Sequence, residues 1–229
     1  MDLQPTGNEK CVSQRLDTLL QCALLLDLEV SHTGSILKLG AVLGETTLTR
    51  SGSASFAATA QELNQVAQRS RCLLGHNLVR HDLPVLRQRA PELRIHQLPV
   101  IDTLVLSPLC FPENPYHRLV KDYKLVRESL NDPVADARQA ALLFKDEFRS
   151  LDGLRRTEPR LFELLYFLLA TPDGQADRPA AGMEMVFRAL GGTMPAMLRA
   201  QEMVAEMFGR WGCASVRTNE ALFQTGAQR

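Results

Sequence analysis

Two aliphatic runs, residues 21–30 and 34–43, flank the polar stretch SHTG, and the threonine-rich ETTLTRS follows a break at Gly44 and Glu45. Apolar and β-branched runs separated by turn residues predict three strands in an antiparallel meander. The period then changes. ATAQELNQVAQRS reads as an amphipathic helix, RCLLGHN as a short buried strand, and RHDLPVLRQRA as a helix with Pro84 in its first turn. QLPVIDTLVLS passes from strand to helix, and PENPYHRLVKDYKLVRESL and PVADARQAALLFKDEFRSL read as two further helices, the second opening at Pro133. A meander followed by alternating strands and helices predicts an α/β domain with a mixed sheet flanked by helices.

Past residue 150 the pattern is helical. EPRLFELLYFLLA is apolar around most of its circumference and predicts a buried helix. TPDGQADRPAAG, residues 171–182, has the composition of a linker, and the segment after it carries six of the seven methionines at helical spacing. Such methionines serve either core packing or an adaptable groove. The expected organisation is an N-terminal segment over 1–19, a core domain over 20–150 and a helical extension over 151–229.

Composition narrows this picture in three ways. Acidic and basic residues balance at 26 each, so any nucleic-acid or membrane affinity has to come from a local basic patch. Cys11, Cys22, Cys72, Cys110 and Cys213 lack the paired spacing of a zinc site or a disulfide framework, which suits a reducing, cytoplasmic setting. The N-terminus lacks the basic start and apolar core of a signal peptide, and LLYFLLA is too short to span a bilayer, so a soluble protein is expected.

The end of the first strand raises the chemical question. Residues i and i+2 of a strand project from one face, so Asp27 and Glu29 hold two carboxylates roughly 5–7 Å apart. Their repulsion costs about 1 kcal/mol in water and several times that when partly buried. A cation between them would relieve it, and so would a separate Lys or Arg beside each acid on a solvated strand end. Two further acids have similar settings, Asp82 in GHNLVRHDLPVL and Asp136 in NDPVADARQAALLF.

Together these segments resemble the DEDD exonucleases of the DnaQ-like group, which have a ribonuclease H-like fold and remove nucleotides from 3′ ends. Asp27, Leu28 and Glu29 match the family's first motif. His76, Asn77 and Asp82 match the second, with His81 where an aromatic is common, and Asp136, Ala137, Arg138 and Ala140 match the third. VIDTLVLS is similar to the segment that lies between motifs two and three, and the resemblance spans about residues 20–150. It implies a two-metal hydrolysis with Mg²⁺ or Mn²⁺ about 3.5–4 Å apart. Asp27 would bridge both ions, Glu29 and Asp136 would hold the one that activates water, and Asp82 would help with the other. Leu28, His76 and Asn77 would then lie near the terminal nucleotide; for His76 and Asn77 the alternative is a local hydrogen-bonded turn.

The sequence departs from the family at one place. The histidine that acts as general base five residues before the last Asp is Asn131 here, and the tyrosine position of the other branch is Asp132. An amide cannot accept a proton near neutral pH, so Asn131 could only orient water, with Asp132 or His117 as alternative bases. Arg118, Lys121 and Lys124 fall on one side of a helix and could track phosphates or form a solvated face, and His117 precedes them. HRLVKDYKL and NDPVADAR also resemble the exonuclease segment ahead of some bacterial RecQ-like helicases. The implied partners are therefore a single-stranded 3′ end, DNA ahead of RNA, and a helicase domain docking on the C-terminal extension. The rival expectation is a degenerate nuclease-fold module that binds a strand end or a protein without cutting.

Overall fold

The computed structural model describes residues 7–52, 56–117, 132–172 and 178–211. Strands β1 (Ala23–Val30), β2 (Ile36–Leu43) and β3 (Thr46–Ser51) form the meander, and β4 (Cys72–Gly75) and β5 (Val100–Asp102) complete a sheet of order β3-β2-β1-β4-β5. The β1–β2 and β2–β3 pairs are antiparallel, whereas β1–β4 and β4–β5 are parallel. The β2–β3 turn needs Gly44 at φ 56°, a left-handed conformation that glycine adopts without strain. This is the mixed α/β arrangement of a ribonuclease H-like fold, with helices on both sheet faces and a helical C-terminal part.

Side-chain alternation along the strands divides the interior in two. Leu24, Leu26, Leu28, Leu39, Leu73 and Val100 face α2 (Phe56–Gln68) and α3 (Leu83–Arg89), where Leu63 and Leu86 are fully buried. On the other face Ala23, Cys72, Leu74 and Ile101 meet α1 (Gly7–Cys22), α4 (Thr103–Cys110), α5 (Pro133–Thr157), α6 (Pro159–Ala170) and α7 (Arg178–Ala189). Phe144 and Phe148 of α5 sit edge to face with ring centroids 5.9 Å apart, and Tyr166 of α6 stacks on Phe187 of α7 at 5.1 Å. Each such pair adds about 0.5–1.5 kcal/mol beyond the area it buries.

The structure adds to the sequence expectations at several points. Helix α1 was not anticipated. Its Val12, Leu16 and Leu19 follow an i, i+4, i+7 spacing that buries one stripe against the sheet, so the helix runs to Cys22 and β1 begins at Ala23 rather than at residue 21. Helix α5 passes position 150 without a break, and α6 and α7 share the core of the sheet. Within the expected linker, residues 178–182 already belong to α7, and residues 173–177 lie outside the described residues.

The methionine-rich segment is two helices, α7 and α8 (Met197–Trp211). The Gly191 amide donates to Arg188 O and the Gly192 amide to Phe187 O, with Gly191 at φ 79°, a glycine stop that caps α7. Met183 packs in the second core and Met203 in a small cluster between α6 and α8, so both are core residues. Most of the helix expected from PENPYHRLVKDYKLVRESL lies outside the described residues. Among the described residues no helix is long and apolar enough to cross a membrane.

Two glycines set the closest backbone approaches. A Cβ at Gly182 would overlap the backbone of Val100, so α7 lies directly on the edge strand β5. A Cβ at Gly40 would overlap the backbone of Pro133 and Val134, so the first turn of α5 rests on β2. Gly182→Ala is therefore expected to lower stability by about 2 kcal/mol or more, because backbone cannot give way as a flexible side chain can. Chemical denaturation of the two proteins measures this, whereas Gly153→Ala, inside α5 with open space at its Cβ, should gain about 0.5–1 kcal/mol.

Candidate active site

The carboxyl ends of the three parallel strands converge on one edge of the sheet, the usual place for ligands in open α/β sheets. β1 is the longest of these strands. Its pairing with β4 ends at Leu25 opposite Leu74, so beyond this point one side of β1 has no strand neighbour. The chain leaving β4 closes over that side. Gly75 passes so near that a Cβ would sit 2.5 Å from Leu26 O, and Asn77 takes a left-handed conformation at φ 66°. Asn tolerates this better than most residues. A single π-helical turn, Leu78–Asp82, then delivers Asp82 beneath β1, where the Leu28 amide donates to Asp82 Oδ1 at 2.8 Å. Such turns within helices are frequent at functional sites.

Asp82 is 2 % exposed. Burial pushes its pKa from 3.8 to about 8, the charge of Asp27 pushes the same way, and the Leu28 hydrogen bond opposes both. Its Oδ2 lies 3.5 Å from Nδ1 of the half-exposed His81. Asp27 and Glu29 share the face that continues from Ala23 and Leu25, and Leu28 points to the other face into the first core. Leu28 thus contributes its amide to Asp82, and its side chain is only 4 % exposed.

Across the meander, Asp27 pairs in register with Gly40, the residue on which the first turn of α5 rests. This docking brings the turn carrying Asp136 to the Asp27 side of the sheet. Glu29 stands directly across from Lys38, an opposite-charge neighbour of the kind that stabilises cross-strand pairs. Arg138 reaches sideways, its Nη2 donating to Thr47 Oγ1 at 3.3 Å. Among the described residues no three His, Cys, Asp or Glu side chains are grouped so as to hold a metal ion.

The second-motif histidine and asparagine are built into the loop. His76 Nδ1 lies 2.8 Å from Thr103 Oγ1, and the His117 carbonyl also contacts the ring. Burial lowers the His76 pKa, with Asp102 and the His117 carbonyl opposing. Thr103 Oγ1 also donates to Gly75 O at 3.2 Å, which ties His76 to the end of β4. His117 itself has Nδ1 buried without a hydrogen-bond partner. It adjoins His76, and the helix expected to follow it lies outside the described residues. Asn131, Arg118, Lys121 and Lys124 lie outside the described residues.

Asp132 has a structural task. Its Oδ1 accepts from the amides of Val134 at 3.0 Å and Ala135 at 3.3 Å, making it the N-cap of α5. This engagement counts against Asp132 as the base.

The residue that sequence reading missed is Asp102. Only 2 % exposed at the end of β5, it accepts from the amides of Asn77 at 2.8 Å, Val79 at 2.9 Å and Leu104 at 3.0 Å. One carboxylate thereby caps α4 and ties down the loop that carries Asp82. Its available signal was an Asp closing an apolar strand and opening a helix in VIDTLVLS. Comparisons with protein-family models, with curated proteins and with solved structures found no match to the chain.

Two outcomes follow from these hydrogen bonds. Because the native pKa of Asp82 is raised, the folded chain holds this proton more tightly than the unfolded one, so its contribution is full below pH ~4 and is lost as pH rises toward ~8. Asp82→Asn, which still accepts from Leu28, should gain stability over the parent by on the order of a few kcal/mol at pH 8 and by almost nothing at pH 4. Glu147, fully buried against Ser107 and pushed by burial to about 9, gives both proteins a parallel slope, so the difference between their denaturation profiles isolates Asp82. For Asp132, replacement by Ala should cost about 1 kcal/mol of stability and replacement by Asn only a few tenths, read from melting curves.

Proposed function

We propose that the chain is a metal-dependent 3′-to-5′ exonuclease acting on single-stranded nucleic acid, DNA ahead of RNA. The observation that carries this reading is Asp82, held by the Leu28 amide between Asp27 and Glu29 in sequence and close enough to Asp27 for its charge to raise the Asp82 pKa. Two acids forced together at the open end of a sheet are costly to the fold, and a divalent cation offsets that cost. The donor set is all carboxylate oxygen, which suits Mg²⁺ or Mn²⁺. Asp27, Glu29, Asp82 and Asp136 would hold the ions, which when bound supply activation of water and neutralise charge on the leaving oxygen. The tether between Asp102 and the His76–Val79 loop keeps Asp82 at β1, and the α5 cap by Asp132 keeps Asp136 in the first turn over β2. A helicase domain on the helical C-terminal part and a cytoplasmic setting belong to the same reading.

A second reading, a module that binds a strand end without cutting, is favoured by Lys38 opposite Glu29 and by Asn131 at the position of the family's base. An assay separates the two. A 5′-labelled single strand with a free 3′ end should shorten progressively with Mn²⁺, a 3′-blocked strand should resist, and Asp27→Ala should abolish the ladder while keeping the fold. Retained binding without any shortening in the parent would establish the second reading instead. Asn131→His should raise the single-turnover rate at neutral pH, by up to the roughly 10²-fold or more that a general base contributes, and add a rate dependence near pH 6.5. An unchanged rate and pH profile would remove position 131 from proton transfer.

A further inference from the structure

The meander carries a cation to the acidic end of the sheet. Residues directly opposite in an antiparallel pair share a face, with Cβ atoms about 4.5–5.5 Å apart, and Lys38 stands in this relation to Glu29. Asp27 lies two residues back along β1 on the same face, and all three residues are half-buried. The ladder shifts register one step further on: Val30 pairs with Ile36, which leaves Leu37 as an extra residue beside the Glu29 and Lys38 pair. Such bulges re-aim neighbouring side chains and are frequent next to active sites. Behind Lys38 the space over Gly40 is filled by the backbone of Pro133 and Val134, and the neighbour on β3 is the small, neutral Ser51. Arg138 is engaged elsewhere, at Thr47. Register and packing therefore set the lysine beside Glu29.

We propose that Lys38 is the resident counter-cation of the acidic end, neutralising Glu29 in the absence of metal and yielding it when a divalent ion binds. The inference rests on the metal-binding part of the nuclease reading. Asp27 and Glu29 repel each other across one face of β1, so a positive group beside Glu29 lets this end of the sheet form before any ion arrives. An ammonium suits the task because it is a compact charge on a flexible four-carbon stem.

The same charge opposes metal. An ammonium left beside Glu29 repels a divalent ion, so Lys38 has to swing out toward Ser51 and solvent as the carboxylate is taken over. Lysine and ion are thus alternative partners of one carboxylate, and each weakens the other's hold by the same factor. Lys38 consequently sets the ion concentration at which the site fills. It acts through Glu29, which makes it a positioning residue and not a catalytic one.

The test measures Mn²⁺ affinity of the full chain by titration calorimetry, without nucleic acid. Lys38→Met, which keeps the length of the stem and removes its charge, should bind Mn²⁺ about tenfold more tightly than the parent. Lys38→Gln should behave alike, which keeps the measurement decisive if one variant folds poorly, and Lys38→Arg should stay near the parent. Lys145→Met removes the same charge about two and a half turns beyond Asp136 on α5 and should shift affinity by about twofold at most. Without metal, Lys38→Met should melt about 1–3 °C below the parent, and at saturating Mn²⁺ it should melt no lower, a rescue that a merely structural lysine would not show. Unchanged or weaker Mn²⁺ binding in Lys38→Met, or equal tightening in Lys145→Met, would overturn the proposal and leave the metal reading standing. Weaker binding of a single strand at unchanged ion affinity would overturn it too, and make Lys38 a phosphate contact. Absence of Mn²⁺ binding from parent and variants alike would remove the metal reading and the proposal together.

Discussion

The unpaired side of β1 beyond Leu25 is the constraint from which the acidic end of the molecule is built. A strand amide facing the interior has to find an acceptor, because leaving it unsatisfied costs about 1–3 kcal/mol. β4 stops too early to provide one for Leu28. Asp82 does so, but only because the chain leaving β4 turns back at once, through the close passage of Gly75 and the left-handed Asn77 into a π-helical turn. That turn is itself held by a second buried carboxylate, Asp102. The local path of the backbone and the unusual acidity of Asp82 therefore have one origin: the carboxylate is buried because a backbone amide requires it there.

Helix α5 connects this end to the rest of the fold. Its first turn lies on Gly40, opposite Asp27, while Phe144 and Phe148 fill the second core half a helix further on. The position of Asp136 is thus tied to a well-packed aromatic cluster rather than to a loop, and Asp132 fixes where the helix begins. The two ends of the sheet consequently differ in chemistry. Buried carboxylates lie where the parallel strands finish, and a cleft lined by Cys22, Arg15, Arg71 and Arg188 lies near where they start.

Much of this was legible in the chain. Period-2 runs gave the meander, the switch to helical spacing gave α2 and α5, and Asp27, Glu29, Asp82 and Asp136 stood out because acids ending or opening apolar elements are conspicuous. Helix α1 escaped because its apolar stripe is narrow and interrupted by polar residues, so its burial depends on a sheet formed by distant segments. The division of the methionine-rich segment at Gly191 and Gly192 had a local signal, a glycine pair, that helical periodicity on either side obscured.

By itself the sequence determined the meander, the strands and helices that follow it up to α5, and which of their side chains face inward, since these follow from periodicities of a few residues. Only the tertiary structure decided that Asp102 would anchor the loop carrying Asp82, that Asp132 would cap a helix, and that the first turn of α5 would rest on Gly40. These contacts join segments whose separation along the chain carries no local pattern. They are settled by where strands end and which buried hydrogen-bonding groups remain unmatched, and that is known only once the sheet is assembled.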